Sequence, residues 1–276
     1  MQLQKKSKKI SAIAQNKNLS IQFSLDGFSF CITDLTTNDV NLFSEYIFEK
    51  TIASPELLLE KIMYIFANDK DLQQDFKSVS AIHQNNLATI VPNDFFDRNN
   101  LVPYLKYSVK TLATDFITYD KLSSINANTV YIPYVNINNY LFQNFGEFEY
   151  MHHASVLIDK LITKIKNSST KTGFFVNVAP NLIDIIIIEN DKLSMYNSFS
   201  YSCKEDFIYY ILFTAEQLQM NPEEFQLTFL GKIESDSELY KITYNYIRNI
   251  NFIKSSTCFF NEDDDFSNHS NYILLS

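Results

Sequence analysis

The sequence contains the same order of secondary-structure signals twice, and this repeat limits the possible folds more than any other feature. In the first copy, apolar and polar residues alternate over residues 19–25, which predicts a strand with one buried face. Asp26 and Gly27 then predict a tight hairpin turn with positive φ angles, and the alternation resumes over residues 28–32. After a third apolar segment, a Ser-Pro pair at residues 54–55 predicts the start of an amphipathic helix, and another strand follows.

The second copy begins after Gly173 and keeps this order. Turns at residues 179–181 and 190–192 separate three apolar strands. Ser202 and Glu205 have the spacing of a capping box at the start of the next helix, and a further strand follows that helix. The copies are offset by about 150 residues and share pattern and turn positions rather than residue identity. This arrangement predicts a duplicated α/β fold with two similarly built lobes.

Further α/β material separates the two copies. The predicted elements are a helix over residues 101–109, strands over 116–119 and 129–135, a helix over 136–145, a strand over 148–151 and a helix over 154–165. Strands that alternate with helices predict mixed sheets flanked by helices. We therefore expect a flexible basic tail over residues 1–18, a first lobe with the extra material over 19–166, and a second lobe over 167–276 that follows a short polar linker.

The composition is typical of a globular protein and argues against one class of partner. Hydrophobic residues make up 46% of the chain and charged residues 20%. The formal net charge of −9 argues against nucleic acid, because binding to phosphate backbones needs clustered basic residues. The run of Lys5, Lys6, Lys8 and Lys9 is expected to be a solvated terminus, with contact to an anionic membrane surface as the alternative.

The sequence predicts a cytoplasmic protein. Apolar stretches of signal-peptide or membrane-spanning length are missing from the 276 residues. Cys31, Cys203 and Cys258 are odd in number and far apart, which favours reduced, buried thiols over a disulfide framework or a zinc site. Cys203 lies at a predicted helix start, where a thiol can be activated, although a buried small side chain is the default expectation.

Several stretches carry a resemblance to a known fold. They are residues 193–199 with 205–212, residues 230–233 with 236–240, and residues 90–92 with 95–96. With the duplicated strand order, they resemble the actin, sugar-kinase and Hsp70 superfamily, and they are similar to an uncharacterised family of bacterial proteins with an actin-like ATPase fold. The resemblance spans roughly residues 19–255 and implies two ribonuclease H-like lobes. The pilus-assembly and secretion-platform members, which are cytoplasmic scaffolds, give the nearest functional analogy, but a fold alone does not transfer a function.

The resemblance also implies where a nucleotide would bind. Active members hold ATP between the lobes on a glycine-rich hairpin turn from each lobe, and an acidic residue at the first turn and another in the second lobe position the metal ion and water. Here Asp26 matches in kind, but Gly27 follows it directly and Phe28 replaces the usual serine or threonine. The second turn contains Pro180, which has no N–H to donate, and Gly231 stands alone where the adenosine site has a glycine pair.

Glycine is scarce throughout the chain. The sequence has 4 glycines, against roughly nineteen for an average protein of this length. Phosphate cradles need several accessible backbone donors, and glycine turns provide them. We therefore expect no catalytic residue, no metal ion and no bound cofactor, and we interpret Asp26 and Gly27 as hairpin residues. The alternative is that ATP and Mg²⁺ bind, in which case these two residues are the nucleotide-cleft candidates.

The remaining candidate sites are weaker. His152 and His153 are adjacent, and on a strand their side chains would face opposite sides and could not share a metal ion. His83 and His269 are isolated and are expected at the surface or in satisfied core positions. The acidic run over residues 262–265 predicts a solvated loop rather than a Ca²⁺ site, because no EF-hand pattern surrounds it.

Three functions follow as hypotheses from these observations. The leading one is a catalytically silent actin-like protein that acts as a cytoplasmic binding or assembly scaffold for an unidentified protein partner. The second is a nucleotide-binding enzyme or switch that retains Asp26 and has a divergent phosphate cradle. The third is a small-molecule-binding protein that uses the same cleft without phosphate chemistry.

Overall fold

The first copy of the repeat and the inserted material contain most of the helices and strands. The computed structural model describes residues 2–8, for which only the backbone is considered, residues 16–254 and residues 269–275. The elements are β1 (Gln2–Lys8), β2 (Lys17–Ser24), β3 (Gly27–Asp34), β4 (Val40–Ile47), α1 (Pro55–Asn68), β5 (Ser78–His83), β6 (Ala88–Pro92), α2 (Val102–Leu105), β7 (Thr118–Lys121), β8 (Ala127–Tyr131), α3 (Val135–Phe145), β9 (Glu149–His152) and α4 (His153–Lys166).

The second copy begins with a strand that follows the polar linker. Its elements are β10 (Gly173–Ala179), β11 (Leu182–Glu189), β12 (Lys192–Ser200), α5 (Lys204–Gln217), β13 (Gln226–Gly231), α6 (Glu238–Tyr244), β14 (Asn249–Phe252) and α7 (Tyr272–Leu275). In the described part of the chain, no helix is long and apolar enough to cross a membrane.

Apart from the additional strand β1, the two lobes have the same strand order. The first sheet runs β1-β4-β3-β2-β5-β9 and the second runs β12-β11-β10-β13-β14. In both, three antiparallel strands are followed by two strands that are parallel to the first of the three. The predicted duplication into two mixed sheets is therefore confirmed. The boundary between the lobes at residues 166 and 167 stays a prediction. The strands of the first sheet all lie between Gln2 and His152.

Local sequence signals explain the longer helices. Ser54 caps α1 by accepting the Leu57 N–H at 3.4 Å, and Pro55 occupies the first turn, where its missing N–H has no cost. Leu58 and Ile62 lie one turn apart and are fully buried against the first sheet. Each such buried side chain contributes about 2 kcal/mol through the hydrophobic effect.

A shared core joins the two lobes. Helix α4 lies between the sheets, and its residues Leu157, Leu161 and Ile162 are fully buried. Phe43 of the first sheet and Ile186 of the second belong to the same buried cluster. The short helix α7 contacts α4, β2 and β3. Separation of the lobes would expose this core to water.

The inserted material forms a small sheet in the order β6-β8-β7. The predicted helix over residues 101–109 is confirmed only over Val102–Leu105, where no side chain caps the start. The strand predicted over residues 129–135 begins earlier and ends at Tyr131, and Pro133, which has no N–H for a sheet ladder, follows two residues later.

The structure corrects two local predictions at element ends. Gln2–Lys8 is a strand paired antiparallel with β4, so these residues are not the flexible tail that the basic sequence predicts, because the edge of β4 supplies backbone partners. The capping box of Ser202 and Glu205 is not formed. Cys203 is the N-cap of α5, and Asp206 accepts the Ser202 N–H at 3.0 Å instead.

Candidate binding cleft between the lobes

Two equivalent hairpin turns face each other across the cleft between the lobes. Leu25 and Asp26 connect β2 to β3, and Pro180 and Asn181 connect β10 to β11. Because the lobes repeat the same fold, each turn lies at the same end of its own sheet. A cavity of about 70 Å³ lies beside both turns, which is room for a few water molecules.

The first turn differs from the predicted one in its backbone. Neither Asp26 nor Gly27 has a positive φ, so the left-handed turn inferred from the Asp-Gly pair is wrong. Glycine is required for a different reason. A Cβ atom on Gly27 would lie 2.8 Å from the carbonyl oxygen of Tyr46 on β4. The residue therefore permits close strand approach rather than an unusual backbone conformation.

The Asp26 carboxylate is hydrogen-bonded across the cleft. Thr51 Oγ1 donates to Asp26 Oδ1 at 2.6 Å, and Asn181 Nδ2 donates to the same oxygen at 3.3 Å. Asn181 Nδ2 also donates to Thr51 Oγ1 at 2.8 Å. We call these three residues the cleft bridge. The bridge joins the first turn, the loop after β4 and the second turn at the place where the superfamily resemblance implies phosphates.

The second turn presents few donors to the cleft. Pro180 has no N–H, and the neighbouring carbonyl groups act as acceptors. Ala179 O accepts the Tyr201 hydroxyl at 2.7 Å, and Val178 O accepts the Lys232 N–H at 2.6 Å. This side of the cleft is therefore poorly suited to hold an anion.

The cavity is also lined by a lysine that is already paired. Lys232 Nζ forms an ion pair with Glu45 of β4 and donates to Asn271 Oδ1 at 3.0 Å. Gly231 precedes it with a φ of +86°, and its N–H donates to His269 O at 2.9 Å. The ion pair joins the lobes and neutralises the cation that an anionic ligand would meet.

A buried polar network lies beneath the cleft and also crosses between the lobes. Asp184 on β11 is 1% exposed, and its Oδ2 accepts from His153 Nε2 at 3.0 Å and from Asn177 Nδ2 at 2.8 Å. Ser198 Oγ and the Tyr196 hydroxyl donate to Oδ1. Burial alone would raise the pKa of Asp184, but His153 and the Ser198 and Asn177 hydrogen bonds outweigh it and lower this pKa.

The adjacent histidines do not share a strand, which corrects the sequence-based interpretation. His152 ends β9 and His153 begins α4, and both side chains are fully buried. His152 Nδ1 accepts the Ala154 N–H at 3.2 Å, so its Nε2 carries the proton and donates to Asn85 O at 3.1 Å. The two rings therefore serve separate hydrogen-bond networks.

The other histidines are core residues. His83 is fully buried; Tyr134 N donates to its Nδ1 at 3.1 Å, and its Nε2 donates to Asn138 Oδ1 at 2.9 Å. His269 is 9% exposed, and its Nε2 lies 2.7 Å from Ile233 O. Within the described ranges, no group of three or more His, Cys, Asp or Glu side chains could hold a metal ion. The acidic run over residues 262–265 lies outside the described residues.

The cysteines only partly match the expectation of buried thiols. Cys31 is buried, and burial raises its pKa to about 11, so the thiol stays protonated at neutral pH. Cys203 is exposed at the start of α5, so the expectation that it is buried is wrong. Cys258 lies outside the described residues.

Sequence reasoning missed the residues that join the lobes. Thr51 and the side chain of Asn181 had no signal beyond their place in polar turns. Asp184 did have one, because it is the only acid in the otherwise apolar run over residues 182–188. A lone carboxylate in a buried central strand needs a partner, and here the partner is His153.

Comparisons with known proteins agree with the fold. The family model described as "Protein of unknown function (DUF3822)" matches residues 6–250. Among curated protein sequences, no relative is found.

Solved structures share the architecture at low sequence identity. A Bacteroides thetaiotaomicron protein with an actin-like ATPase fold and unknown function is 21% identical, with a TM-score of 0.77, over 87% of this chain and 91% of its own. The PilM-PilN type IV pilus biogenesis complex matches at 9% identity, with a TM-score of 0.59, over 86% of this chain and 88% of that chain. The chain therefore has an actin-like ATPase fold, and it belongs to the DUF3822 family.

Proposed function

We propose that this chain is a catalytically silent actin-like protein that acts in the cytoplasm as a binding or assembly scaffold. The observation that carries the proposal is the cleft bridge of Asp26, Thr51 and Asn181. In an ATP-binding member of the superfamily, the acid at the first turn serves the metal ion and water. Here the Asp26 carboxylate accepts hydrogen bonds from both sides of the cleft, which supports a structural role.

Two further features support the same proposal. A nucleotide would have to compete with the Lys232–Glu45 ion pair and find donors on a turn that contains Pro180. The shared core around α4 also opposes the opening of the lobes that would admit a ligand. A protein of similar fold occurs in the PilM-PilN type IV pilus biogenesis complex, which offers a precedent for an assembly role.

Nucleotide binding is the second candidate function. The cavity beside the turns is lined by Asp26, Gly27, Gly231 and Lys232. An acid, a cation and two glycines are residue types that contact Mg²⁺ and phosphate groups. In that case the cleft bridge would have to break, and ATP would bind between the lobes.

Thermal unfolding with millimolar Mg-ATP separates the two functions. A ligand present at 100 times its Kd stabilises a protein by about 2.7 kcal/mol. That gain would raise the midpoint by roughly 5–10 °C in a chain of this size. We expect no shift. A saturable rise that Asp26→Asn abolishes would support nucleotide binding in this cleft and contradict the structural role proposed for the Asp26 carboxylate.

The scaffold role requires a separate measurement. We expect a tagged full-length chain to co-purify with a defined protein from its own cytosol, and the purified pair to bind saturably without nucleotide. A chain that binds no purified candidate, and whose midpoint also does not move with Mg-ATP, would contradict the scaffold role while leaving the absence of nucleotide binding intact.

A further inference from the structure

The two lobes differ at the outer edge of the third strand of the repeat. In the first lobe this strand is β4, and β1 covers its edge from Leu42 to Ile47. In the second lobe the equivalent strand is β12. In the part of the chain that the structure describes, the second sheet begins at β12 with no strand beyond it.

The free edge of β12 has the same local geometry as the covered edge of β4. A register shift in β4 leaves Asn41 as an extra residue, and β1 pairs with the regular stretch that follows it. In β12 the shift leaves Ser194 as the extra residue at the equivalent place. The following six residues, 195–200, correspond to the stretch that accepts a strand in the first lobe. Within them the Ser198 N–H donates to Asn197 Oδ1 at 2.9 Å, a local contact that a pairing strand would replace.

This edge lacks the features that normally prevent strand addition. Residues 193–200 contain no charged residue, proline or glycine. The other outer strands of the two large sheets are short or have a lysine-rich sequence: β9 and β14 have only four residues each, and the sequence of β1 contains Lys5, Lys6 and Lys8. β12 has nine residues and is the longest edge strand among those described.

A strip of aromatic rings runs beside this edge on the face covered by α5. Phe199 of β12 stacks on Tyr210 at 4.6 Å, Tyr210 contacts Tyr209 at 5.5 Å, and Tyr209 stacks on Phe213 at 5.7 Å. Tyr209 is 58% exposed and Phe213 is 41% exposed. Exposed aromatic groups next to a free edge provide the apolar area that a pair of strands alone lacks.

We propose that β12 pairs antiparallel with β12 of a second copy of this chain, so that the two second-lobe sheets form one continuous sheet. A two-fold axis perpendicular to the sheet places a given residue on the same face of the continuous sheet in both copies. Residues opposite each other must then be an even number apart, and the register that we propose has Asn197 opposite itself and Met195 opposite Phe199. An uncharged edge can meet its own copy without charge repulsion.

Charge at the ends of the strand favours a second copy as the occupant. Antiparallel pairing brings the Lys192 end of one strand to the end where α5 of the other copy begins. Asp191, which precedes Lys192, is already paired with Lys171 at 3.5 Å. The first turn of α5 carries Glu205 and Asp206. The two-fold axis repeats this complementary pairing at both ends of the interface.

Sedimentation equilibrium of the full chain with matched lysine variants tests the proposal. We expect a dimer for the wild type and a monomer for Asn197→Lys, because two lysines would meet at the two-fold axis. Asn251→Lys places the same exposed substitution on β14 at the other edge of the same sheet, and it should remain dimeric. A mixture of Asn197→Lys and Asn197→Glu should restore a dimer, which excludes misfolding as the cause of monomer formation.

The aromatic strip gives an independent measurement. Tyr209→Ala and Phe213→Ala together should raise the dimer Kd roughly tenfold or more. A wild type that stays monomeric at high micromolar concentration would overturn the proposal, as would a dimer that Asn197→Lys leaves intact. Binding of an extended peptide to monomeric wild type, blocked by Asn197→Lys, would also overturn it and assign the edge to another protein.

Discussion

At the residue scale, Gly231 allows two strands to approach each other closely beside the cleft, because it has no side chain. Its φ is +86°, and a Cβ atom would lie 2.2 Å from the carbonyl oxygen of Val178 on β10. The same oxygen accepts the Lys232 N–H at 2.6 Å. Any side chain at position 231 would therefore displace the backbone that positions Lys232 against Glu45.

Gly231→Ala is expected to destabilise the protein more than the same change at another left-handed glycine. Gly146 has a φ of +73°, but a Cβ atom there would have no atom within 4 Å. The backbone of Gly146 has a ψ of −137°, so Gly146→Ala should cost only the strain of this glycine-favoured conformation, about 1–3 kcal/mol. Gly231→Ala adds the clash with β10, so we expect a total loss of about 3 kcal/mol or more in the free energy of unfolding. Urea unfolding measures both, and equal losses would contradict the steric explanation.

At the element scale, the sequence predicts most accurately those elements whose apolar pattern ends at a clear boundary signal. Helices α3 and α4 were predicted to within one or two residues, because their apolar stripes end at Gly146 and at the polar linker. Helix α2 was predicted too long, because a short apolar run in an insert has no capping signal and depends on its small local core. Strand β1 was missed, because its lysine-rich sequence lacks the apolar alternation that predicts a strand, although its backbone pairs with β4.

In the cleft, too, the features set by local residues were predictable and those set by long-range packing were not. The sequence predicted that a turn lies at Asp26 and another at residues 179–181, since local residues determine turns. It could not predict the cleft bridge, because Asn181 is 130 residues from Thr51 and 155 from Asp26 in the chain. Which side chains meet there depends on how the lobes pack. The position of the candidate site was therefore predictable, but its hydrogen bonds were not.

The neighbouring strands β5 and β9 are expected to make the fold sensitive to acid. His83 and His152 are paired in register across these strands, and both are fully buried. Burial lowers the pKa of His83 to about 4, partly opposed by its hydrogen bond to Asn138. Burial also lowers the pKa of His152, and the nearby His153 and His83 lower it further. Both rings are therefore neutral in the folded protein at neutral pH.

Acidification should destabilise the protein between about pH 6.5 and pH 4. In this range the unfolded chain binds a proton at His83 and the folded chain does not, so the free energy of unfolding rises with pH. The contribution of His83 is about 3 kcal/mol, fully present above pH 6.5 and lost as the pH falls towards 4. Urea unfolding across this range measures the slope, and His83→Gln should reduce it. A His83 ring that titrates near pH 6.5 in the folded protein by NMR would contradict the prediction.

At the scale of the whole molecule, the lobes are joined by buried contacts rather than by a flexible linker alone. The core around α4 contains residues from both sheets, and the His153–Asp184 pair crosses the same boundary with side chains that are 0% and 2% exposed. Buried pairs of this kind are costly to break, because the remaining partner stays in a low-dielectric environment. We therefore expect the wild type to unfold in one calorimetric transition, with both lobes melting together.

Asp184→Asn tests whether this coupling depends on the buried pair. The amide keeps the shape of the side chain but loses the charge that faces His153, and we expect a loss of about 3 kcal/mol and a broadened or divided transition. Glu223→Gln makes the same acid-to-amide change in the Arg248–Glu223 pair, whose side chains are 72% and 62% exposed. That variant should stay within about 0.5 kcal/mol of the wild type. If calorimetry gave both variants the same small loss and one sharp transition, the apolar core alone would join the lobes, and His153 and Asp184 would merely satisfy each other.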